Sequence, residues 1–478
     1  MTQPVWIAGE AHTTREVVRI DAPFDGAPID THCLADAACV EKALSAAQAA
    51  FVETRAMPTH RRRDFLITLA ARVEADADEA ATLLAREAAK PITLARVELA
   101  RAVATFRLAA EACSLPSGEC LALDLAPSAE GSLGITRQVA AGPVLAIAPF
   151  NFPLNLVVHK LAPAFALGAP VVLKPAPQTP LSALRLAQHV YAAAHVHSVN
   201  MGILSVLPCT NELAQRMVED PRFAVLSFTG SDAVGWRLKA LAGKKRVLLE
   251  LGGNAAAIVT ASADLGACVP RVVSGAFGYA GQVCIKVQRL LVARAHYDAA
   301  LAEVVTRARA LRVGDPLAHD TVLSVLIDAR SKARIAAWLD EAAAAGATVH
   351  CGGQFDRLGL APTVLTGAGP GMKLYDGEVF GPVLTVEPFD TLDEAIARVN
   401  AGRYGLQAGV FTRDLGEVFQ AFSGLDVGGL MVNEVPTFRV DAMPYGGVKD
   451  SGLGREGVRY AMAEMSETRL LVVRGITM

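Results

Sequence analysis

From residue 144 onward, short apolar runs alternate with helical stretches across brief connections, and no other feature restricts the possible folds so tightly. The strand-like runs cover 144–148, 171–174, 204–207, 224–228 and 247–251, and helical periodicity begins near Pro153, Thr179, Asn211 and Ser231. Strands joined by helices in this rhythm form a parallel sheet covered on both faces, because a parallel crossover needs a helix and that helix must pack on the sheet. Ligands of such a sheet lie beyond the carboxyl ends of its strands. At 478 residues the chain exceeds what one hydrophobic core supports, so further domains are expected.

Upstream, residues 36–114 read as successive helices. Asp36, Thr59 and Asp76 are candidate N-caps, and apolar residues recur at helical spacing over 37–51, 65–73 and 94–110. Between 115 and 140 the breakers Pro116, Gly118, Pro127, Gly131 and Gly134 surround short strand-like pieces. A second α/β region occupies 253–452, and 468–473 reads as a late strand that joins the 115–140 excursion in a small β appendage. Exposed edges of that kind pair between subunits. A net charge of −3 without a long basic run leaves no electrostatic footprint for nucleic acid. No charged segment followed by an apolar run marks secretion, and the apolar tracts 144–158 and 161–173 are interrupted well short of the ~20 residues of a membrane span. Eight cysteines stand singly, with no C-x-x-C pair, which fits a reducing, cytoplasmic setting better than a disulfide frame or a zinc site.

The unusual residues gather at strand ends. After the last run come Glu250-Leu251-Gly252-Gly253-Asn254, and 34 residues beyond Glu250 stands Cys284, in Gly281-Gln282-Val283-Cys284. A carboxylate, a Gly-Gly that lets backbone approach a ligand, and a Gly-flanked cysteine are the parts of a thiol-based enzyme: the thiolate attacks, and the carboxylate activates water for the second half of a covalent cycle. The bland alternative is a small core hydrophobe. Asn151 follows the first run, where its amide suits an oxyanion donor and equally a helix cap. Lys174 ends the second run, in reach of a ribose or phosphate or simply solvated. Phe228-Thr229-Gly230-Ser231 leads into a helix whose free N–H groups suit a pyrophosphate.

Taken together, the chain resembles an aldehyde dehydrogenase of the large NAD(P)-dependent superfamily over nearly its whole length. Seven motifs stand in family order: Pro149-Phe150-Asn151-Phe152-Pro153, Lys174-Pro175-Ala176, Phe228-Thr229-Gly230-Ser231, Glu250-Leu251-Gly252-Gly253, Gly281-Gln282-Val283-Cys284, Glu378-Val379-Phe380-Gly381-Pro382 and Pro444-Tyr445-Gly446-Gly447-Val448-Lys449. The runs 155–160 and 443–452 are most similar to the lactaldehyde and phosphonoacetaldehyde dehydrogenase-like branch. The resemblance implies an α/β aldehyde dehydrogenase fold: a Rossmann-like cofactor-binding domain from 1–116 and 141–252, a catalytic α/β domain at 253–452, and a β oligomerisation segment from 117–140 and 453–478. It also implies a homodimer or homotetramer. Cys284 would attack the aldehyde, the Asn151 amide and the Cys284 N–H would hold the oxyanion, and Glu250 would activate water. Glu378 would hold the nicotinamide ribose with Phe380 against the ring, Lys174 the adenosine ribose, and Gly230-Ser231 the pyrophosphate. No metal has a role. Without the family, Glu378 reads as a solvated carboxylate.

Two departures bear on specificity. Hydrolytic NAD-using members carry a Glu three residues after the lysine, gripping both ribose hydroxyls; here that position is Pro177, which removes repulsion against a 2′-phosphate and opens the site to NADP as well as NAD. Asn155 and His159 share a helix face, the one that lines the family's substrate channel, so the channel is polar. Arg101, with Arg107 as its rival, is a candidate to bind a phosphonate, phosphate, sulfonate or carboxylate, against the plain reading of two surface charges. Phe438 and Tyr445 would complete the channel wall with Arg439 nearby, and Val283 and Ile285 would narrow it. The implied function is non-acylating oxidation of a short polar or anionic aldehyde to the acid with NAD or NADP. One rival is a CoA-acylating semialdehyde dehydrogenase, which the presence of Glu250 opposes. The other is a retired binding or structural protein on the same scaffold, which the intact Cys284, Glu250 and Asn151 oppose.

Overall fold

The computed structural model describes residues 2–115 and 118–475, so the breaker Pro116 lies outside the described residues. The anticipated alternation builds an eight-stranded sheet. Its parallel centre runs, in spatial order, Leu204–Val206, Val171–Lys174, Val144–Ile147, Val225–Thr229 and Arg246–Glu250. An antiparallel pair, Val5–Ile7 and Glu10–His12, extends one edge, and antiparallel Gly452–Leu453 closes the other. The winding therefore reverses between Val144–Ile147 and Val225–Thr229, and the crevice beyond that switch point is where an open α/β sheet takes its ligand. Val144–Ile147, Val171–Lys174 and Val225–Thr229 are buried throughout, as strands covered on both faces require.

The helices Ala37–Thr54, Thr59–Ala75, Ala77–Ala88 and Ile92–Ala112 precede this sheet. Asp36 caps the first, accepting from the Cys39 N–H at 2.9 Å. Thr59 is instead the first residue of the second, with Pro58 at the cap position. Asp76 stands at the cap of the third but caps nothing, because Arg185 and His189 occupy its carboxylate. Asn155–Leu167 and Leu181–Val196 begin two residues later than the periodicity places them, and both delays have one cause. Glu98, from Ile92–Ala112, accepts from the N–H groups of Leu154 and Asn155 at 2.9 and 3.0 Å. Glu87, from Ala77–Ala88, accepts likewise from Leu181 and Ser182 at 3.1 and 3.0 Å. Buried carboxylates from elsewhere thus satisfy the orphan donors that a local side chain normally serves.

The second sheet runs Thr348–Cys351, Thr363–Thr366, Val383–Phe389, Arg289–Ala293, Ala256–Val259, Gln407–Phe411 and Gly429–Val432, parallel except for the first pair. The appendage pairs Ser466–Arg474 with Ser132–Ala140 and that strand with Cys120–Ala122, all antiparallel. Ser466–Arg474 is an edge strand, and Leu470, Leu471 and Val472 are exposed along it. Among the described residues no helix is long and apolar enough to cross a membrane.

Candidate active site

Cys284 is carried by a strained loop. After the helix Leu265–Phe277, Tyr279, Ala280 and Gly281 all adopt left-handed backbone, with φ of +54°, +51° and +67°. Such a conformation costs about 1–3 kcal/mol at a non-glycine residue and persists only where its surroundings enforce it. Here the buried Tyr279 donates its O–H to the Ala88 carbonyl at 3.0 Å, meets Phe152 edge to face at 6.2 Å, and takes the Lys90 ammonium over its ring at 4.5 Å. At Gly281 a Cβ would lie 2.2 Å from the Gly381 oxygen, so only glycine passes. The Gly252-Gly253 pair makes room for protein, not only for a ligand. A Cβ on Gly252 would lie 2.5 Å from a Glu378 oxygen, and one on Gly253 2.5 Å from the Cys284 carbonyl.

The partly buried Cys284 has its Sγ 2.9 Å from the Tyr445 hydroxyl. Burial pushes its thiol up to about 12, and the Tyr445 contact acts in the opposite direction. Asn151 donates through Nδ2 to the Gln282 carbonyl at 3.0 Å, two residues from the nucleophile. That nitrogen has a second hydrogen for another acceptor. Asn151 caps no helix, since Leu154 holds that position and Glu98 satisfies the donors. Glu250 ends its strand 4 % exposed, with Oε2 unpartnered. Burial, and then the Glu456 carboxylate, raise it well above the ordinary carboxyl range, so its neutral form is favoured. Glu456 itself was not singled out in the sequence. Burial acts against its ionisation, but Lys160 at 3.3 Å and Arg439 at 3.0 Å hold it well below the usual carboxylate range. Lys160 also bonds Thr229 at 2.7 Å and Ser227 at 3.2 Å. The available signal was a lysine in a mostly apolar helix, which must find a buried partner.

Arg101, Asn155 and His159 do converge, but on a carboxylate that sequence reasoning missed. Asp441 accepts from Arg101 Nη2 at 2.6 Å and Nε at 3.2 Å, from His159 Nε2 at 2.8 Å, and from Asn155 at 3.4 Å. Although burial opposes it, His159 and Arg101 keep Asp441 ionised. Burial and then Arg439 push His159 below its usual value, so it is neutral. Asn155 Oδ1, His159 Nδ1 and Arg439 Nε remain buried without partners. Arg107 is not part of this cluster. Six residues past Arg101, at 3.6 residues per turn, it leaves the shared face, and it forms an exposed pair with Glu74 at 2.6 Å. Phe438 is 46 % exposed and lines a surface pocket with Arg271 and Thr437. Tyr445 is buried against Ile285 and Leu406, with the Arg439 guanidinium 3.7 Å from its ring centroid and Val283 packed alongside.

At the switch point Lys174 is 5 % exposed, and among the described residues its ammonium has only the Pro175 carbonyl, at 3.4 Å. Pro177 stands exposed just after it. Ser231 is exposed at the N-cap of Asp232–Leu241 and makes no capping bond, leaving first-turn N–H groups open. At Gly230 a Cβ would strike the Phe228 ring at 2.5 Å. Glu378 accepts from the Gly253 N–H at 3.0 Å, and burial raises it to about 7. Phe380, with φ +50°, meets Phe150 edge to face at 5.9 Å. A buried ammonium short of acceptors, an open helix N-terminus and the buried Glu378 carboxyl fit a dinucleotide.

A doubly wound sheet with those features, beside a partly buried thiol and a buried amide and carboxyl, defines an oxidoreductase that works through a thiol. The chain belongs to the aldehyde dehydrogenase family, whose sequence model matches residues 6–471. It is 38% identical over 470 residues to 3-sulfolactaldehyde dehydrogenase of Priestia aryabhattai, covering 98% of this chain and 97% of that one. It is 34% identical over 413 residues to lactaldehyde dehydrogenase of Methanococcus aeolicus, covering 86% and 87%. The crystal structure of glyceraldehyde-3-phosphate dehydrogenase GapN from Methanocaldococcus jannaschii, complexed with NADP, superposes with a TM-score of 0.93 at 34% identity, covering 97% of this chain and 100% of that one. The expected fold and the lactaldehyde-like branch are thereby established, as is NAD(P) dependence.

Proposed function

We propose that this protein oxidises a short polar or anionic aldehyde to its carboxylic acid with NAD(P)+, without coenzyme A, through Cys284. The observation that carries the reading is the gathering of the Cys284 thiol and the unpartnered Glu250 carboxyl about Tyr445, with the Asn151 amide bonded to the Gln282 carbonyl two residues from the thiol. Cys284 adds to the aldehyde carbon. The spare Asn151 N–H and the Cys284 N–H take the charge that develops on oxygen. Lys174, the Gly230-Ser231 helix start, Glu378 and Phe380 would hold NAD(P)+, which when bound would supply the hydride acceptor. Glu250, once deprotonated, takes a proton from the water that releases the acid from Cys284. Pro177 offers no carboxylate to a 2′-phosphate, so NADP is accommodated as well as NAD.

Fixed charges favour an anionic end group. Arg101, Arg439 and Lys160 are paired with two carboxylates, Asp441 and Glu456, while burial and Glu456 favour the neutral form of Glu250 and burial and Arg439 that of His159. Three cations shared between two carboxylates suit a single added sulfonate or carboxylate. Residues 1–116 and 141–252 would bind the cofactor, 253–452 would carry the chemistry, and the exposed edge Ser466–Arg474 would join subunits of a cytoplasmic dimer or tetramer.

The test is formation of reduced cofactor with 3-sulfolactaldehyde, succinic semialdehyde, lactaldehyde and hexanal, each with NAD and with NADP, using Cys284→Ala as the blank. The proposal expects Cys284-dependent turnover that is fastest with the first two. A preference for hexanal would overturn the anionic assignment, and turnover in the blank would overturn the nucleophile.

A further inference from the structure

We infer that Tyr445 is a catalytic hydrogen-bond donor that holds the Cys284 thiolate, and that Arg439 strengthens this donor from behind its ring. The inference rests on Cys284 being the reactive thiol. The Sγ–Oη separation is 2.9 Å, and among the described residues the phenol oxygen has no other partner. Tyr445 is 2 % exposed, so water does not compete for that hydroxyl. The guanidinium of Arg439 lies 3.7 Å from the ring centroid, and a cation there draws electron density from the phenol and makes its O–H a better donor.

Both partners are fixed. Glu456 accepts from Arg439 Nη2 at 3.0 Å, and its backbone pairs with that of Tyr445 through bonds of 3.0 and 2.6 Å. One residue thus sets the distance between cation and ring.

A partly buried thiol beside carboxyls needs such help. Besides Tyr445, the charged and titratable groups facing Cys284 are Glu378, Glu250 and Arg439. The two carboxyls oppose a thiolate when ionised, and only Arg439 and the phenol favour one. In the resting pair either group can donate to the other. When the thiol gives its proton to water, the phenol keeps its own proton and turns it toward sulfur. As sulfur bonds to the carbonyl carbon its charge passes to the aldehyde oxygen, and the phenol contact is released.

The test is the pH dependence of iodoacetamide alkylation of the full-length protein without aldehyde, followed by mass spectrometry on the Cys284 peptide. Tyr445→Phe keeps the ring beneath Arg439 and removes only the oxygen. A hydrogen bond to a charged group corresponds to an upward shift of about one to two units in the Cys284 pKa, so alkylation below that pKa slows about 10–100-fold. A shift of that sign, with an unchanged melting temperature, supports the assignment, and an unchanged or downward-shifted profile overturns it. Arg439→Met, measured with and without Tyr445→Phe, tests the relay. A smaller effect without the phenol oxygen supports it, and equal effects in both backgrounds overturn it. Because no aldehyde is used, the outcome is independent of whether any substrate in the panel is turned over.

Discussion

Breaking the buried Lys90–Glu98 pair should cost far more than the loss of a surface charge. Lys90 is wholly buried between Phe152, at 3.7 Å, and Tyr279, at 4.5 Å, and its ammonium donates to Glu98 Oε2. Glu98 Oε1 meanwhile serves two helix N–H groups. In Glu98→Ala the ammonium loses its anionic partner and both N–H groups lose their acceptor. Removing one partner of a buried pair costs about 3–5 kcal/mol, and the persisting cation–π contacts keep the loss near the middle of that range, about 4 kcal/mol. Burial already lowers the Lys90 pKa in the intact pair. Without Glu98 it falls further below the unfolded value of about 10.4, the unfolded chain binds more protons, and the stability of the variant rises with pH up to that value. Urea unfolding followed by circular dichroism, at neutral and alkaline pH, on Glu98→Ala, Lys90→Met and the double variant tests this. The double variant should cost less than the sum of the singles by about 2–3 kcal/mol, because no buried charge is left. A Glu98→Ala loss below about 1 kcal/mol, the size of an exposed pair, or simple additivity would refute the reasoning.

Asn151→Ala should lower kcat/KM about 100–1000-fold while Cys284 alkylation stays unchanged; parallel losses in both would mean a misplaced loop, not a missing oxyanion donor. Glu456→Gln removes the anion facing Glu250 and leaves Lys160 and Arg439 beside it, so the Glu250 carboxyl ionises more easily. The rising limb of the kcat–pH profile should therefore move to lower pH, and an unmoved limb would show that the two carboxyls are not coupled. Arg101→Met should raise KM for 3-sulfolactaldehyde about 10–100-fold and leave that for lactaldehyde nearly unchanged; equal effects on both would remove Arg101 from anion recognition.

The five parallel strands were legible to within a residue or so because a strand buried on both faces is a continuous apolar run, and each run lies where the sheet has it. Helix starts were less legible, since Glu98 and Glu87 serve donors 56 to 95 residues away and nothing local announces them. Asn151 and Glu250 stood out because strand ends concentrate unusual residues, and Cys284 because it closes the Gly281-Gln282-Val283-Cys284 motif. Asp441 did not: an aspartate in a loop has no periodicity, and its partners Arg101 and His159 lie 340 and 282 residues away. Lys160 and Glu456 are hidden by a separation of 296 residues. Arg101 and Arg107 were distinguishable only once the buried face of their helix was known.

The left-handed turn ahead of Cys284 also sets an order of events during folding. Tyr279 is locked by the Ala88 carbonyl, 191 residues earlier, and by the ammonium of Lys90. The turn therefore takes its shape only after the N-terminal helices have docked against the segment that precedes the second sheet. In a refolding experiment, helix and sheet content should return first and the native thiol environment last. The interval between the two signals measures the docking step itself, and a chain stalled before that step has two formed sheets but no assembled nucleophile.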